Sequence, residues 1–223
     1  LHNPLLKNTD IDEIIYIEKS NDSTYQIKKG DWIITKPLIF DGNLNVEKGT
    51  ILNFDTNSYI IVKGNIKMIG TVDEKIVLKA LNDSWKGIFV IEAKKRSVLN
   101  NVIIQKTDFF RDGLLSLTGA INFYKSNVDI INTDFINSKA EDALNIVHSD
   151  FFLDRVTIDT SVSDGFDSDF STGIITNSVF KNISGDAVDF SGSNVKINES
   201  FFTNIKDKAV SSGEASNLDL KNL

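Results

Sequence analysis

The sequence predicts an all-β chain, folded as a parallel β-helix from coils of about 22 residues. Three observations carry this: a fixed internal period, strand-type alternation inside each unit, and the lack of helix signals. Ala143, Gly165, Ala187 and Ala209 recur at equal intervals of 22 residues. They lie in the blocks Asp142-Ala143-Leu144-Asn145-Ile146, Asp164-Gly165-Phe166-Asp167-Ser168, Asp186-Ala187-Val188-Asp189-Phe190 and Lys208-Ala209-Val210-Ser211-Ser212. Leu153, Ile175 and Ile197 form a second column in phase, and Ile158, Phe180 and Phe202 a third. Val128, Ile130 and Phe135 join these columns one unit earlier.

Within a unit, apolar and polar residues alternate over short runs, as in Val195-Lys196-Ile197-Asn198, which is the period of a strand. Asn, Asp, Gly and Ser recur at constant offsets and supply the turns. Pro occurs only at Pro4 and Pro37. A single such coil cannot bury its own apolar face, so the coils must stack, with strands about 4.8 Å apart and like residues in vertical columns. A leucine-rich horseshoe also has units of this size, but its Leu-x-x-Leu-x-Leu signature does not occur.

The front half fits the same plan with longer coils. Its strand-like runs are Trp32-Ile33-Ile34, Leu38-Ile39-Phe40, Leu44-Asn45-Val46, Gly49-Thr50-Ile51-Leu52-Asn53-Phe54, Ile60-Ile61-Val62, Ile66-Lys67-Met68, Ile76-Val77-Leu78 and Ile88-Phe89-Val90. Thr107 to Ser116 interrupts the repeat and reads as a loop insertion. Residues 24–223 are expected to form the β-helix, without a C-terminal cap segment. Residues 1–23 are expected to be an N-terminal cap or linker, because an open solenoid end exposes strand edges that need cover.

Several of these blocks carry a family resemblance. Gly49-Thr50-Ile51-Leu52-Asn53-Phe54, Val62-Lys63-Gly64-Asn65-Ile66, Gly70-Thr71 and Trp85-Lys86-Gly87-Ile88 resemble bacterial right-handed parallel β-helix proteins of the pectin-lyase-like superfamily. The later blocks around Ala143, Ala187 and Ala209 are similar to β-helix regions that follow kinase-like domains of the spore coat protein H family. The resemblance covers residues 24–223 and implies a right-handed fold, flanking domains in the same polypeptide, and a place at the bacterial surface or outside the cell. The polygalacturonase and alginate-epimerase catalytic motifs of that superfamily are missing, so it implies no particular activity.

Composition narrows the chemistry. Hydrophobic residues at 41% and charged residues at 25% fit a chain with a packed core. The absence of Cys removes disulfides and thiolate sites, and two His, His2 and His148, leave no basis for a zinc cluster. No apolar run approaches the length of about 18 residues expected of a membrane span. Residues 1–133 carry 17 basic and 16 acidic residues, whereas residues 134–223 carry 7 and 15. That distribution disfavours nucleic acid, whose phosphates need clustered Lys and Arg. A start at Leu1 reads as a mature form or a fragment.

Strand parity selects the candidate site. If Leu144, Phe166, Val188 and Val210 point inward, Asn145, Asp167, Asp189 and Ser211 form one outward column, with Asp169 two residues further on. Three readings remain open. Asp164, Asp167, Asp169, Asp186 and Asp189 can supply oxygens to a hard cation such as Ca²⁺. Asp167 and Asp189, with Asp169, can serve as acid and base in a polysaccharide lyase or glycoside hydrolase. Or the column is a solvated ladder, with Asp142, Asp164 and Asp186 capping turns. Asn145, His148 and Ser211 are candidate binding residues; His148 falls on the inward parity near a turn, where a structural role is expected. Phe151, Phe170, Phe180, Phe190, Phe201 and Phe202 mostly occupy column positions and are expected in the core. The function expected from these features is non-catalytic recognition of a polysaccharide or a cell-surface protein, with catalysis on sugars as the alternative.

Overall fold

The computed structural model describes residues 7–223 except 13, 22, 113 and 114, and side chains are described outside 111–116. The chain is a parallel β-solenoid. Three parallel sheets run along its length, and each coil contributes one strand to each. Sheet A runs from Ile17–Asn21 to Asn217–Lys221, sheet B from Asp31–Ile34 to Phe201–Ile205, and sheet C from Leu38–Phe40 to Val210–Ser212. Seven of the eight runs anticipated in the front half lie within strands, and the eighth enters its strand only at Ile51, because Gly49 is in a left-handed turn.

The columns stack as the period requires. Leu153 pairs with Ile175 and Ile175 with Ile197; Ile158 pairs with Phe180 and Phe180 with Phe202. Phe166 contacts Phe151 and Phe190 edge-on, with ring centroids at 5.2 and 5.8 Å. Ser168, between Ile146 and Phe190, interrupts the apolar lining; its buried Oγ has no hydrogen-bond partner.

From Glu92 onward, residues in the left-handed region recur at fixed places in each coil. One column, at the corners just after the sheet A strands, is Asn101, Asn132, Arg155, Asn177, Glu199 and Asn222, and a second, near the ends of the sheet B strands, is Asn137, Thr160, Asn182 and Asn204. Asn tolerates this conformation better than most side chains, which accounts for its regular recurrence. Serines tie adjacent coils together just after a corner. The backbone N–H of Ser126 donates to Ser149 Oγ at 2.8 Å, that of Ser149 to Ser171 Oγ at 3.1 Å, and that of Ser171 to Ser193 Oγ at 3.0 Å.

Both sequence irregularities have structural counterparts. The insertion at 107–116 contains an antiparallel hairpin, Phe110–Asp112 with Leu115–Leu117. It packs on the outside of sheet C, where Phe110 and Leu117 meet Ile39, Tyr59, Ile61 and Phe89 in a second apolar cluster. Of residues 1–23, 1–6, 13 and 22 lie outside the described residues. Ile17–Asn21 pairs antiparallel with Thr24–Ile27 at the first edge of sheet A, and Tyr16 stacks on Trp32 at 5.3 Å. Trp85 is fully buried, stacked on Phe54 at 3.9 Å. Beside it, Gly87 has φ of +80° and a Cβ there would collide with the Ala120 carbonyl, so only glycine fits.

Candidate functional site

The outward column of sheet C spans the length of the solenoid and changes character midway. Its residues in order are Ile39, Ile61, Phe89, Asn122, Asn145, Asp167, Asp189 and Ser211. The first three are apolar and lie under the hairpin. The remaining five are polar. The strand alternation that turns Ile121, Leu144, Phe166 and Val188 into the core turns these side chains out. The hairpin therefore ends the polar row on one side.

The row is tightly linked at Asn145. Its Nδ2 donates to Asp167 Oδ2 at 3.0 Å and to Asp142 Oδ2 at 3.2 Å. Asn122 Nδ2 donates to the Gly119 carbonyl at 2.6 Å. Burial, followed by the negative charges of Asp142, Asp169, Asp189 and Asp164, pushes the Asp167 carboxyl up to about 8. Burial pushes Asp142 up to about 6, against the bonds from Thr118 and Asn145 that favour its charged form. Both effects have one physical origin: a carboxylate that loses water among other carboxylates holds its proton.

Other carboxylates are engaged in the backbone. Asp164 Oδ1 accepts the backbone N–H of Asp186 at 2.8 Å, and Asp186 Oδ1 accepts that of Lys208 at 2.9 Å. Lys208 Nζ also reaches Asp186 Oδ2 at 3.1 Å. Asp169 lies two residues beyond the row, stacked between Val147 and Ser191; burial and Asp189 raise its carboxyl, while His148 acts in the opposite sense. Among the described residues, no three or more His, Asp or Glu groups are arranged to hold one metal ion.

Some placements differ from the sequence expectations. His148 does not point inward. It is exposed at a corner, with φ of +52°, because the left-handed turn breaks the alternation that parity assumes. It stacks on Phe170 at 5.0 Å and meets Tyr124 edge-on at 6.1 Å. Phe170, at the next corner up, is 61% exposed, and Phe201 on the outer side of sheet B is 67% exposed, so neither belongs to the core. Phe151, Phe180 and Phe190 do. By sequence position Asp142 is only a turn cap, yet it shares the Asn145 amide with Asp167. The signal available was its own position, three residues before Asn145 at the head of the strand.

No family model and no curated protein matches the chain. Among solved structures it is similar to QnrB1, a plasmid-mediated fluoroquinolone resistance protein, at 10% identity over 85% of this chain and 92% of that one, with a TM-score of 0.23. It is also similar to the periplasmic alginate epimerase AlgG, at 6% identity over 97% and 82%, with a TM-score of 0.23. The Streptococcus pneumoniae surface protein and adhesin PfbA aligns at 9% identity over 88% and 91%, with a TM-score of 0.16. Likeness at this level carries no activity over to the chain, whose own strand register shows it to be a parallel β-solenoid.

Proposed function

We propose that this chain is a non-catalytic recognition module that binds an extended glycan along the polar row of sheet C, at the bacterial surface or outside the cell. The observation that carries the reading is the row itself: amide, carboxyl and hydroxyl groups one strand spacing apart, about 4.8 Å, in one outward column that is buried at Asn122 and Asn145 and half-buried at Asp167, Asp189 and Ser211. Such a row offers donors and acceptors at a constant repeat, which suits a polymer with a constant repeat. With Asp167 holding its proton near neutral pH, the face supplies a carboxyl donor as well as acceptors. The acidity of the surrounding half favours neutral or amino sugars over uronates. The kinship with pectin-lyase-like and spore-coat-associated β-helices belongs to this proposal and rests on the motifs quoted above.

Binding to a panel of neutral, amino and acidic polysaccharides tests the reading. The double variant Asn145→Ala with Asp189→Ala is expected to weaken binding about tenfold or more, the loss of one to two hydrogen bonds. Binding equal to wild type, or a preference for pectate or alginate, would refute it.

One observation favours a second reading. A carboxyl that stays protonated to about 8 is the form a general acid must take, and Asp189 lies directly beside Asp167 on the next strand. A glycoside hydrolase or lyase using this pair is expected to release sugars from the same panel and to lose that activity in Asp167→Asn and Asp189→Asn. Wild-type protein that cleaves none of the panel removes this reading and leaves recognition standing.

A further inference from the structure

The corner between sheets C and A carries two aromatic side chains that the polar row does not use. In the left-handed region at this corner are Glu92, Lys125, His148, Phe170 and Gly192. Elsewhere among the described residues this conformation falls on polar side chains, on glycine or on Ala215. His148 and Phe170 are the only rings in it, and they occupy successive coils of one column. A bulky ring on left-handed backbone, turned largely to solvent, is costly, and such outliers collect where a ligand is held.

Both rings are held in place. Phe170 lies nearly parallel to His148, with 16° between the ring planes and centroids 5.0 Å apart, and Tyr124 meets His148 edge-on. One coil further, Gly192 leaves the room that Phe170 occupies, since a Cβ there would stand 2.6 Å from the Phe170 Cδ1. The backbone just after each ring is fixed by the hydrogen bonds from Ser149 N–H to Ser171 Oγ and from Ser171 N–H to Ser193 Oγ.

Beside the rings, on the sheet A side, lies a cleft of about 270 Å³ lined by His148, Phe170, Asn127, Ser149, Asp150 and Thr172. Asp150 and Thr172 open neighbouring strands and are direct register partners. Asn127 Oδ1 accepts the backbone N–H of Asp150 at 2.8 Å, which orients the amide and leaves its Nδ2 as a donor. The cleft therefore has an apolar wall of two rings and a polar wall with an amide, a hydroxyl and a carboxylate.

That division matches a pyranose, which carries C–H groups on its faces and hydroxyls around its rim. The volume is below the roughly 300–1,000 Å³ of a site for a larger ligand, so it suits one sugar residue rather than a stretch of polymer. A quaternary ammonium also packs on aromatic rings, but it gives the Asn127 amide and the Thr172 hydroxyl nothing to bond. The Asp150 carboxylate repels a uronate.

We propose that this cleft binds a single neutral sugar residue, its apolar face against the Phe170–His148 stack and its hydroxyls on Asn127, Asp150 and Thr172. The site shares no residue with the row and does not depend on the row binding a polymer.

Titration of the isotope-labelled chain with methyl glucoside, methyl galactoside, methyl mannoside and N-acetylglucosamine, followed by NMR, tests this. At least one is expected to bind at roughly millimolar concentration and to shift the backbone amides of Asp150 and Thr172. Phe170→Ala is expected to weaken that binding about fivefold or more. Thr172→Val, which keeps the shape and removes the hydroxyl, is expected to weaken it about threefold or more. The row variant Asn145→Ala with Asp189→Ala is expected to bind these sugars as wild type does. Binding of none of the four, tighter binding of choline or methyl glucuronoside, wild-type affinity in either cleft variant, or an equal loss in the row variant would each overturn the proposal.

Discussion

Phe166→Ala is expected to lower stability by about 3–5 kcal/mol, the usual cost of truncating a fully buried Phe. For a chain of this size that corresponds to a fall in melting temperature of about 10 °C. The side chain is completely buried, stacked between Leu144 and Val188 and edge-on to Phe151 and Phe190, so neighbours held in successive coils cannot collapse into the void. Phe170→Ala, four residues on, is the internal control. Its ring lies largely in solvent, and its removal is expected to cost less than about 1 kcal/mol. Thermal or denaturant unfolding of the two variants compares them directly. Equal losses would mean that the inward and outward columns are wrongly assigned.

The second large effect is a dependence of stability on pH. The Asp167 carboxyl titrates at about 8 in the folded chain, and an unfolded Asp at about 3.9. Between these values the folded state binds a proton that the unfolded state has released. Stability from this group is therefore present in full at low pH and is lost progressively as pH rises through about 8. Asp142 acts in the same direction up to about 6. Glu74 has the opposite sign: hydrogen bonds from Lys29 and Lys48 hold it at about 2, so its contribution is present at neutral pH and lost in acid. After allowing for water at the half-exposed Asp167, wild type is expected to lose about 1–3 kcal/mol between mildly acidic and mildly alkaline pH. Asp167→Asn preserves an acceptor for Asn145 Nδ2 and removes the titration. It is expected to be more stable than wild type in alkali and to show a flatter profile. Guanidinium unfolding across pH measures both, and an unchanged slope in Asp167→Asn would show that the proton resides elsewhere.

Much of the architecture was legible in the residues. The intervals that align Leu153, Ile175 and Ile197, or Asn145, Asp167 and Asp189, became strand registers without adjustment. Recurrent Asn marked corners because its side chain tolerates left-handed backbone. The failures have a common cause. Alternation holds only inside a strand, and His148 and Phe170 sit at corners where φ is positive, so counting parity across them gives the wrong side. Phe201 failed differently. It stands on Val179 in an outward column, and hydropathy does not distinguish an exposed Phe from a buried one.

Asp142 shows the limit for the site. As a lone residue before Ala143 it is an ordinary turn cap. Its link to Asp167 exists only because Asn145, three residues on, is tall enough to reach both carboxyls. The raised carboxyls likewise follow from how much water the neighbouring strands leave around them and from the charges of the other acidic residues.

By itself the sequence determined the coil, the register and the inner and outer columns, because parallel strands stacked at a constant chain separation bring equivalent positions into contact. Only the tertiary structure decided which part of the outer column lies under the hairpin, which carboxyls share one amide, and that Ile17–Asn21 covers the first edge of sheet A. Those depend on aperiodic segments folding back across the repeat, and on how much water they exclude.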